Sequence, residues 1–243
     1  MRAAIGRFGY AHVTNFLSRE ECASFRNVID EAFEARDGGA PENPSAYAPF
    51  DAADKAFSGK RDRPMRIWVA DTPRLLFKYL EFVRVSGLAD LVADFLGERP
   101  AISVNKTSAR RVRPYATEAG WHQDGRFLGS TIRTLNVWLA LSDCGEVAPG
   151  MEILPKRLDH IVETGTEGAP LDWTVANDKV LEAGSGVMPE TPDVNAGDMF
   201  LFDHYFLHRT NSSAPPGSVR YAIECWYFAP SAYPEKGQFP LAF

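Results

Sequence analysis

From residue 101 onward the apolar residues fall into short alternating stretches, 101–107, 131–142, 151–155, 197–203 and 218–228, with Gly, Pro, Asp and Asn between them. A period of two sends successive side chains to opposite faces of a strand, and closely spaced strands of this kind fold as a β-barrel or jelly roll. The first hundred residues have a different texture. Ser18-Arg-Glu-Glu21 is a capping-box pattern, and Cys22, Phe25, Val28, Ile29, Ala32 and Phe33 recur at helical spacing behind it, so a helix is predicted to about Arg36. Two more helices are predicted over 73–85 and 86–96, stopped by Gly97 and Pro100, and a short strand within 9–16. The expected organisation is one domain over 1–243, with 1–100 as largely helical support and 101–243 as the β core. Residues 37–63 and 165–196 are rich in Gly, Pro and charge and read as long loops, the second crossing the barrel mouth. Loops of that length are commonly lids or selectivity elements.

The chain has 243 residues, 45% of them apolar, enough to bury one substantial core. A formal net charge of −6 argues against a partner that is nucleic acid or an acidic membrane, because both are held by basic surfaces. Three cysteines, Cys22, Cys144 and Cys225, are too few and too widely spaced for a disulfide framework and read as buried thiols. No stretch has signal-peptide or membrane-span character, so a cytoplasmic location is expected.

Within the β half, Gly120-Trp-His-Gln-Asp-Gly125 carries the most chemistry. In a strand or its exit, His122 and Asp124 point the same way and Gln123 the other. The spacing alone is common and also serves ordinary structural hydrogen bonds. One carboxylate and two imidazoles, however, hold ferrous iron on one face and leave the opposite positions open. The second imidazole is His204 or His208. A pair four residues apart could bind zinc on a helix, but Gly197-Asp-Met-Phe-Leu-Phe begins as a turn and a strand, which favours His208. His12 and His160 read as surface or capping residues.

The stretch Thr131-Ile-Arg-Thr-Leu-Asn-Val-Trp-Leu-Ala-Leu puts Leu135, Val137, Leu139 and Leu141 on one face and Thr134, Asn136, Trp138 and Ala140 on the other. The second, polar face suits the inside of the barrel. Arg220 opens another strand, and its planar fork matches a carboxylate, with the Thr210 hydroxyl placed to add a further bond; a surface salt bridge is the plainer use of Arg220. Glu224 shares the parity of Arg220, so either a bulge intervenes or a carboxylate faces inward. The basic run Lys106 to Arg113, with Arg110, Arg111 and Arg113, reads as a solvated loop or as a contact for an anionic substrate.

With these motifs in view, the chain resembles the phytanoyl-CoA dioxygenase (PhyH) family of Fe(II)- and 2-oxoglutarate-dependent oxygenases. The likeness rests on Gly9-Tyr10 with Phe16-Leu-Ser, Trp121-His-Gln-Asp-Gly, Asn136-Val-Trp-Leu-Ala-Leu, Ala148-Pro-Gly-Met-Glu-Ile-Leu-Pro155, Gly197-Asp, His208 and Arg220. It implies a double-stranded β-helix, iron held by His122, Asp124 and His208, and 2-oxoglutarate held by Arg220 with Thr210 beside it; Asn136 and Trp138, on the inward face of their strand, are expected to line the cofactor pocket. It also implies hydroxylation of a small molecule with release of succinate and CO2. Asp124 argues for hydroxylation over halogenation, because related halogenases replace the metal carboxylate by a small residue to admit chloride. Where the family usually has Pro-Gly-Ser-His, this chain reads Pro155-Lys-Arg-Leu-Asp-His160. Trp121, Trp138 and Phe127 are candidates for an apolar enclosure, and Arg126 with the basic run for orienting an anionic substrate. Two other functions compete: a non-catalytic jelly-roll protein that binds a ligand or metal, and a zinc hydrolase built on His204 and His208.

Overall fold

The computed structural model describes residues 1–38, 45–48, 65–114, 120–211, 213–234 and 239–242. Its centre is an eight-stranded antiparallel sheet. In this sheet β1 (Tyr10–Val13), β7 (Met199–Phe202), β5 (Thr134–Ala140), β9 (Arg220–Phe228), β3 (Ala101–Ser103) and β10 (Pro240–Ala242) lie in that order, and β4 (Ser108–Val112) joins β9 to β2 (Arg66–Trp68). A second, smaller sheet pairs β6 (Gly150–Ile153) with β8 (His208–Asn211). It is extended by isolated bridges from His122 to His208, Trp121 to Val175 and Ile153 to Glu190. Two antiparallel sheets enclosing a pocket, with helices packed against the outer face of the larger one, make a double-stranded β-helix.

The alternation in β5 decides which face does what. Leu135, Val137, Leu139 and Leu141 belong to one large apolar cluster with Cys22, Phe25, Ile29 and Phe33 of the helix Arg19–Asp37 and with Leu75, Tyr79 and Val83 of the helix Pro73–Val85. Trp138 and Ala140 pack inside, with Phe200, Phe202, Phe206 and Met151. The hydroxyls of Tyr79 and Tyr227 meet at 2.9 Å across the outer interface, so the helical layer is fixed to the sheet by a polar contact as well as by burial. At the N-terminus of the long helix, Ser18 and Glu21 form the reciprocal capping box that the sequence predicts.

The Gly197-Asp198 motif is architectural. Gly197 has φ +98°, and a Cβ there would lie 2.1 Å from the carbonyl oxygen of Leu17, so only glycine lets the chain after β1 pass this close. Asp198 then accepts from the backbone N–H groups of Asn15 and Asn195, at 2.8 and 3.1 Å, and lies 3.1 Å from Nε2 of His12.

Several elements differ from the sequence reading. The basic run is not a loop: Ser108–Val112 is a strand inside the sheet, paired with β9 on one side and β2 on the other. Its arginines mask the alternation, since Arg110 is buried in the interior while Arg111 turns outward to Asp30. Residues 165–196 are not a simple loop either. They contain the helix Asn177–Gly184, too short for a periodic signal, and are tied down through Val175, Glu190 and Val194. Lys156 caps that helix by donating to the carbonyls of Ala183 and Gly184 at 2.7 and 3.1 Å, a use of the Lys156-Arg157 departure in the loop after β6. Helix Arg2–Phe8 and strands β2 and β10 are short elements without a sequence signal. Most of the loop expected over 37–63 lies outside the described residues. Among the described residues, no helix is long and apolar enough to cross a membrane.

Candidate metal centre and its cavity

His122 and Asp124 sit where the chain leaves the smaller sheet. His122 bridges to His208 through both backbone hydrogen bonds, at 3.0 and 3.1 Å, which sets their rings side by side with centroids 4.4 Å apart. The chain then turns into the short helix Gly125–Leu128, which carries the Asp124 carboxylate round to 3.8 Å from Nε2 of His208. One ligand atom from each of His122, Asp124 and His208 lies within 4.8 Å of the others; no other such group occurs among the described residues. His204 is not part of it. It lies beyond the turn, packed on Tyr205 with ring centroids 4.0 Å apart, and a Cβ on Gly125 would come within 3.0 Å of its ring.

Both histidines are oriented by their own backbones. Nδ1 of His122 lies 3.0 Å from the carbonyl of Gly120, and Nδ1 of His208 lies 3.0 Å from the carbonyl of Phe206. A carbonyl can only accept, so each Nδ1 is the protonated nitrogen and each Nε2 presents a lone pair, the arrangement by which backbone carbonyls orient histidine ligands. Gln123 faces the other way, as the alternation requires. It donates to the carbonyls of His160 and Tyr205 at 2.9 and 2.6 Å and accepts from the Val162 N–H at 2.7 Å, fastening two loops behind the turn.

The three side chains are electrostatically primed for a cation. Burial, reinforced by the neighbouring His208, pushes His122 down to about 3, and burial likewise lowers His208. Burial, with Glu224 nearby, raises Asp124. Desolvation thus favours the neutral form of each, and a divalent ion placed among them would reverse this for the carboxylate. Oδ2 of Asp124 is buried without a hydrogen-bond partner among the described residues, as are both amide atoms of Asn136. Orphaned polar atoms of this kind are rare in folded interiors and fit a site that holds a polar group.

A cavity runs inward from the two histidines, lined by Trp138, Met151, Thr210, Arg220, Arg110 and Glu224. Arg220 is buried, donates from Nη1 to the Gly150 carbonyl at 3.2 Å, and has its guanidinium carbon 5.5 Å from the centre of the Trp138 ring. Glu224 does face inward, without a bulge: β9 pairs in unbroken register with both β4 and β5, and Glu224 receives the guanidinium of Arg110 at 2.9 Å. The family model for phytanoyl-CoA dioxygenase (PhyH) matches residues 5–216. The chain belongs to the phytanoyl-CoA dioxygenase family.

Several solved structures share this fold. AviO1 from Streptomyces viridochromogenes Tue57 is 21% identical, with a TM-score of 0.65 over 96% of this chain and 95% of that one. EctD from S. alaskensis, solved with 2-oxoglutarate and 5-hydroxyectoine, is 18% identical, with a TM-score of 0.69 over 96% and 77%. The epimerase SnoN, in complex with Fe3+, alpha ketoglutarate and nogalamycin RO, is 16% identical, with a TM-score of 0.62 over 98% and 93%. No curated protein matches the sequence significantly.

Other candidates from the sequence fall elsewhere in this member of the PhyH family. Trp121 is buried beneath the guanidinium of Arg209, 4.9 Å from its ring centre, in a separate cluster with Leu158 and Val175. Arg111 pairs with Asp30 at 2.9 Å, and Arg126 bonds Thr164 at 3.1 Å. The residue that sequence reasoning missed is Trp173, whose ring meets that of His122 edge-on at 5.7 Å. It sits in an irregular stretch where no periodicity could have pointed to it.

Proposed function

We propose that this protein is an Fe(II)- and 2-oxoglutarate-dependent dioxygenase that hydroxylates a small molecule. The observation that carries the reading is the convergence of His122, Asp124 and His208 at the mouth of a cavity whose far wall holds Arg220. The three side chains would hold the ferrous ion through the two Nε2 atoms and the Asp124 carboxylate, the donor set that suits non-haem iron. Arg220, with Thr210 of β8 in the smaller sheet, would bind the distal carboxylate of 2-oxoglutarate, and Asn136 and Trp138 would bound the cosubstrate on the side of the larger sheet. Iron with 2-oxoglutarate and O2 supplies the oxidant for a C–H bond, releasing succinate and CO2.

The chain's own residues bind, orient and keep water out. Trp138, which lines the cavity, is backed by the buried Phe200–Phe202–Phe206 cluster, and this apolar surround would strengthen the pairing of Arg220 with a carboxylate by keeping solvent out. The presence of Asp124 favours hydroxylation over halogenation, since a carboxylate fills the position a chloride would need.

The test is an anaerobic titration of the purified protein with ferrous iron and then 2-oxoglutarate, followed by exposure to O2. A visible charge-transfer band that forms only with both, and succinate produced on admitting oxygen, are expected. A bound metal with no band and no succinate would shift the assignment to a ligand-binding protein, and oxygen-independent hydrolysis with zinc to a hydrolase.

A further inference from the structure

The inward face of β9 carries Arg220, Ala222, Glu224, Trp226 and Phe228 in order, because the strand holds its register with both neighbours. Four residues of strand set the Arg220 and Glu224 backbones about 13 Å apart, and Ala222 between them adds only a methyl group. Beyond Glu224, Trp226 and Phe228 pack with Ile132 and with Leu128 of the short helix that follows Asp124. Glu224 therefore stands on the Asp124 side of the cavity and Arg220 at the other end. After burial itself, the charge of Glu224 is an influence shared by His122, Asp124 and His208.

Besides the two histidines, the charged side chains lining this cavity are Arg110, Arg209, Arg220 and Glu224. Arg209 donates to Glu152, Arg110 donates to Glu224, and Arg220 is assigned above to the cosubstrate. Both bonds from Arg110 go to Oε2 of Glu224; Oε1 receives none from any described residue, and the side chain keeps 13% of its surface open. A carboxylate accepts through both oxygens, so half of this acceptor is unused where burial makes an unmet acceptor costly. The arginines of the wall are engaged, and what is left over is negative.

We propose that Glu224 determines substrate choice, its Oε1 taking the protonated amine of an alkylammonium substrate and holding that molecule beside the metal ligands. Hydrogen bonds between two ions are about twice as strong as neutral ones, so an ammonium is preferred to a hydroxyl of the same shape. A carboxylate in the same place would meet repulsion instead. This inference rests on the reading of His122, Asp124 and His208 as an oxygenase centre, and it names the class of molecule that the centre would oxidise.

The probes are n-hexylammonium and cyclohexylammonium, each compared with the alcohol and the carboxylate of the same skeleton. They are titrated calorimetrically at neutral pH, where an alkylamine is protonated, into the full chain supplied anaerobically with ferrous iron and 2-oxoglutarate. Expected are binding of an ammonium probe, affinity at least about tenfold weaker for its alcohol, and no measurable binding of its carboxylate. Glu224→Gln, which keeps an acceptor for Arg110, should bring the ammonium down to the level of the alcohol and leave the alcohol unchanged. Glu224→Asp keeps the charge and should retain the preference at reduced affinity. The comparison among probes in the wild type needs no variant, so it decides the matter even if Glu224→Gln is unstable.

Equal affinity for ammonium and alcohol, or absence of binding by both ammonium probes, overturns the proposal, as does a folded Glu224→Gln protein that keeps the wild-type preference. A charge-transfer band without an ammonium preference removes this role of Glu224 and leaves the oxygenase reading intact. An ammonium preference that depends on Glu224, in a protein that forms no band, sustains the ammonium site and removes the oxygenase reading.

Discussion

Glu224 and Arg110 are locked together inside the barrel, Oε2 of the glutamate accepting from both Nε and Nη2 of the arginine at 3.0 and 2.9 Å. Burial alone would raise the glutamate, but the Arg110 and Arg66 guanidinium groups outweigh it and hold the carboxyl well below the usual range. An ionised carboxylate therefore faces a cavity that is proposed to take up a dianionic cosubstrate, and Arg110 is what keeps it from repelling that guest.

Removing one partner of a buried pair leaves the other charged and poorly compensated. Glu224→Ala is expected to cost about 3 kcal/mol or more in urea unfolding, whereas Arg110→Met with Glu224→Leu should cost less than the sum of the two single changes. Strict additivity would show that the two side chains are not energetically coupled.

The geometry separates the two candidate histidines. His208→Ala should abolish stoichiometric Fe(II) or Co(II) binding, and His204→Ala should retain it, because only His208 lies with His122 and Asp124. The d–d spectrum of the cobalt-substituted protein reads this directly. Retention of the metal by His208→Ala, with loss in His204→Ala, would reverse the assignment.

Gln123 makes three hydrogen bonds between the two proposed ligands, to His160, Tyr205 and Val162. Gln123→Leu would keep the volume but strand buried backbone groups, at about 1–3 kcal/mol for each one left unsatisfied. The variant is expected to be measurably less stable and to bind metal about 10-fold to 100-fold more weakly, the scale seen when residues that orient ligands are removed. A Gln123→Leu protein with wild-type metal affinity would reduce the residue to a loop fastener.

The helical layer offers a pH test remote from the site. The N–H and hydroxyl of Ser18 donate to Glu21 and lower its pKa below the ordinary 4.5, so the stabilisation is present above that value and is lost as the pH falls through the folded-state pKa. Ser18→Ala should cost about 1 kcal/mol at neutral pH. The gap to the wild type should narrow in acid without closing, because the Ser18 oxygen also accepts from the Glu21 N–H, which does not titrate here. A gap independent of pH would mean that the carboxylate adds nothing to the cap.

What could be read from the sequence is whatever repeats or is enforced by local chemistry. The long helix was legible because its cap and its apolar stripe agree, and β5 because its two faces differ so sharply in polarity. His122 and Asp124 do come together, but through the turn into Gly125–Leu128 and not through strand parity. Strand β4 was hidden because its arginines obey tertiary demands, one paired with Glu224 and the next with Asp30. Trp173 was hidden for a related reason: it is carried by an irregular stretch held in place by bridges to Trp121 and Ile153. Long-range pairing of this kind leaves no periodic mark on the chain.

Arg220 provides the sharpest test of how the cavity is used. Its guanidinium is enclosed against Trp138 and lines the same cavity as Thr210, His122 and His208 without belonging to the metal cluster. A charge-assisted hydrogen-bonded carboxylate contact is worth roughly 1.5–3 kcal/mol, or about 10-fold to 150-fold in affinity. Arg220→Ala should therefore weaken 2-oxoglutarate binding by that factor while Fe(II) affinity changes little, and Thr210→Ala should show a smaller loss in the same direction. Both are measured by the anaerobic titration, with iron and cosubstrate varied separately. Equal loss of iron and 2-oxoglutarate in Arg220→Ala would show that the arginine supports the fold through Gly150 and Trp138 rather than holding the cosubstrate.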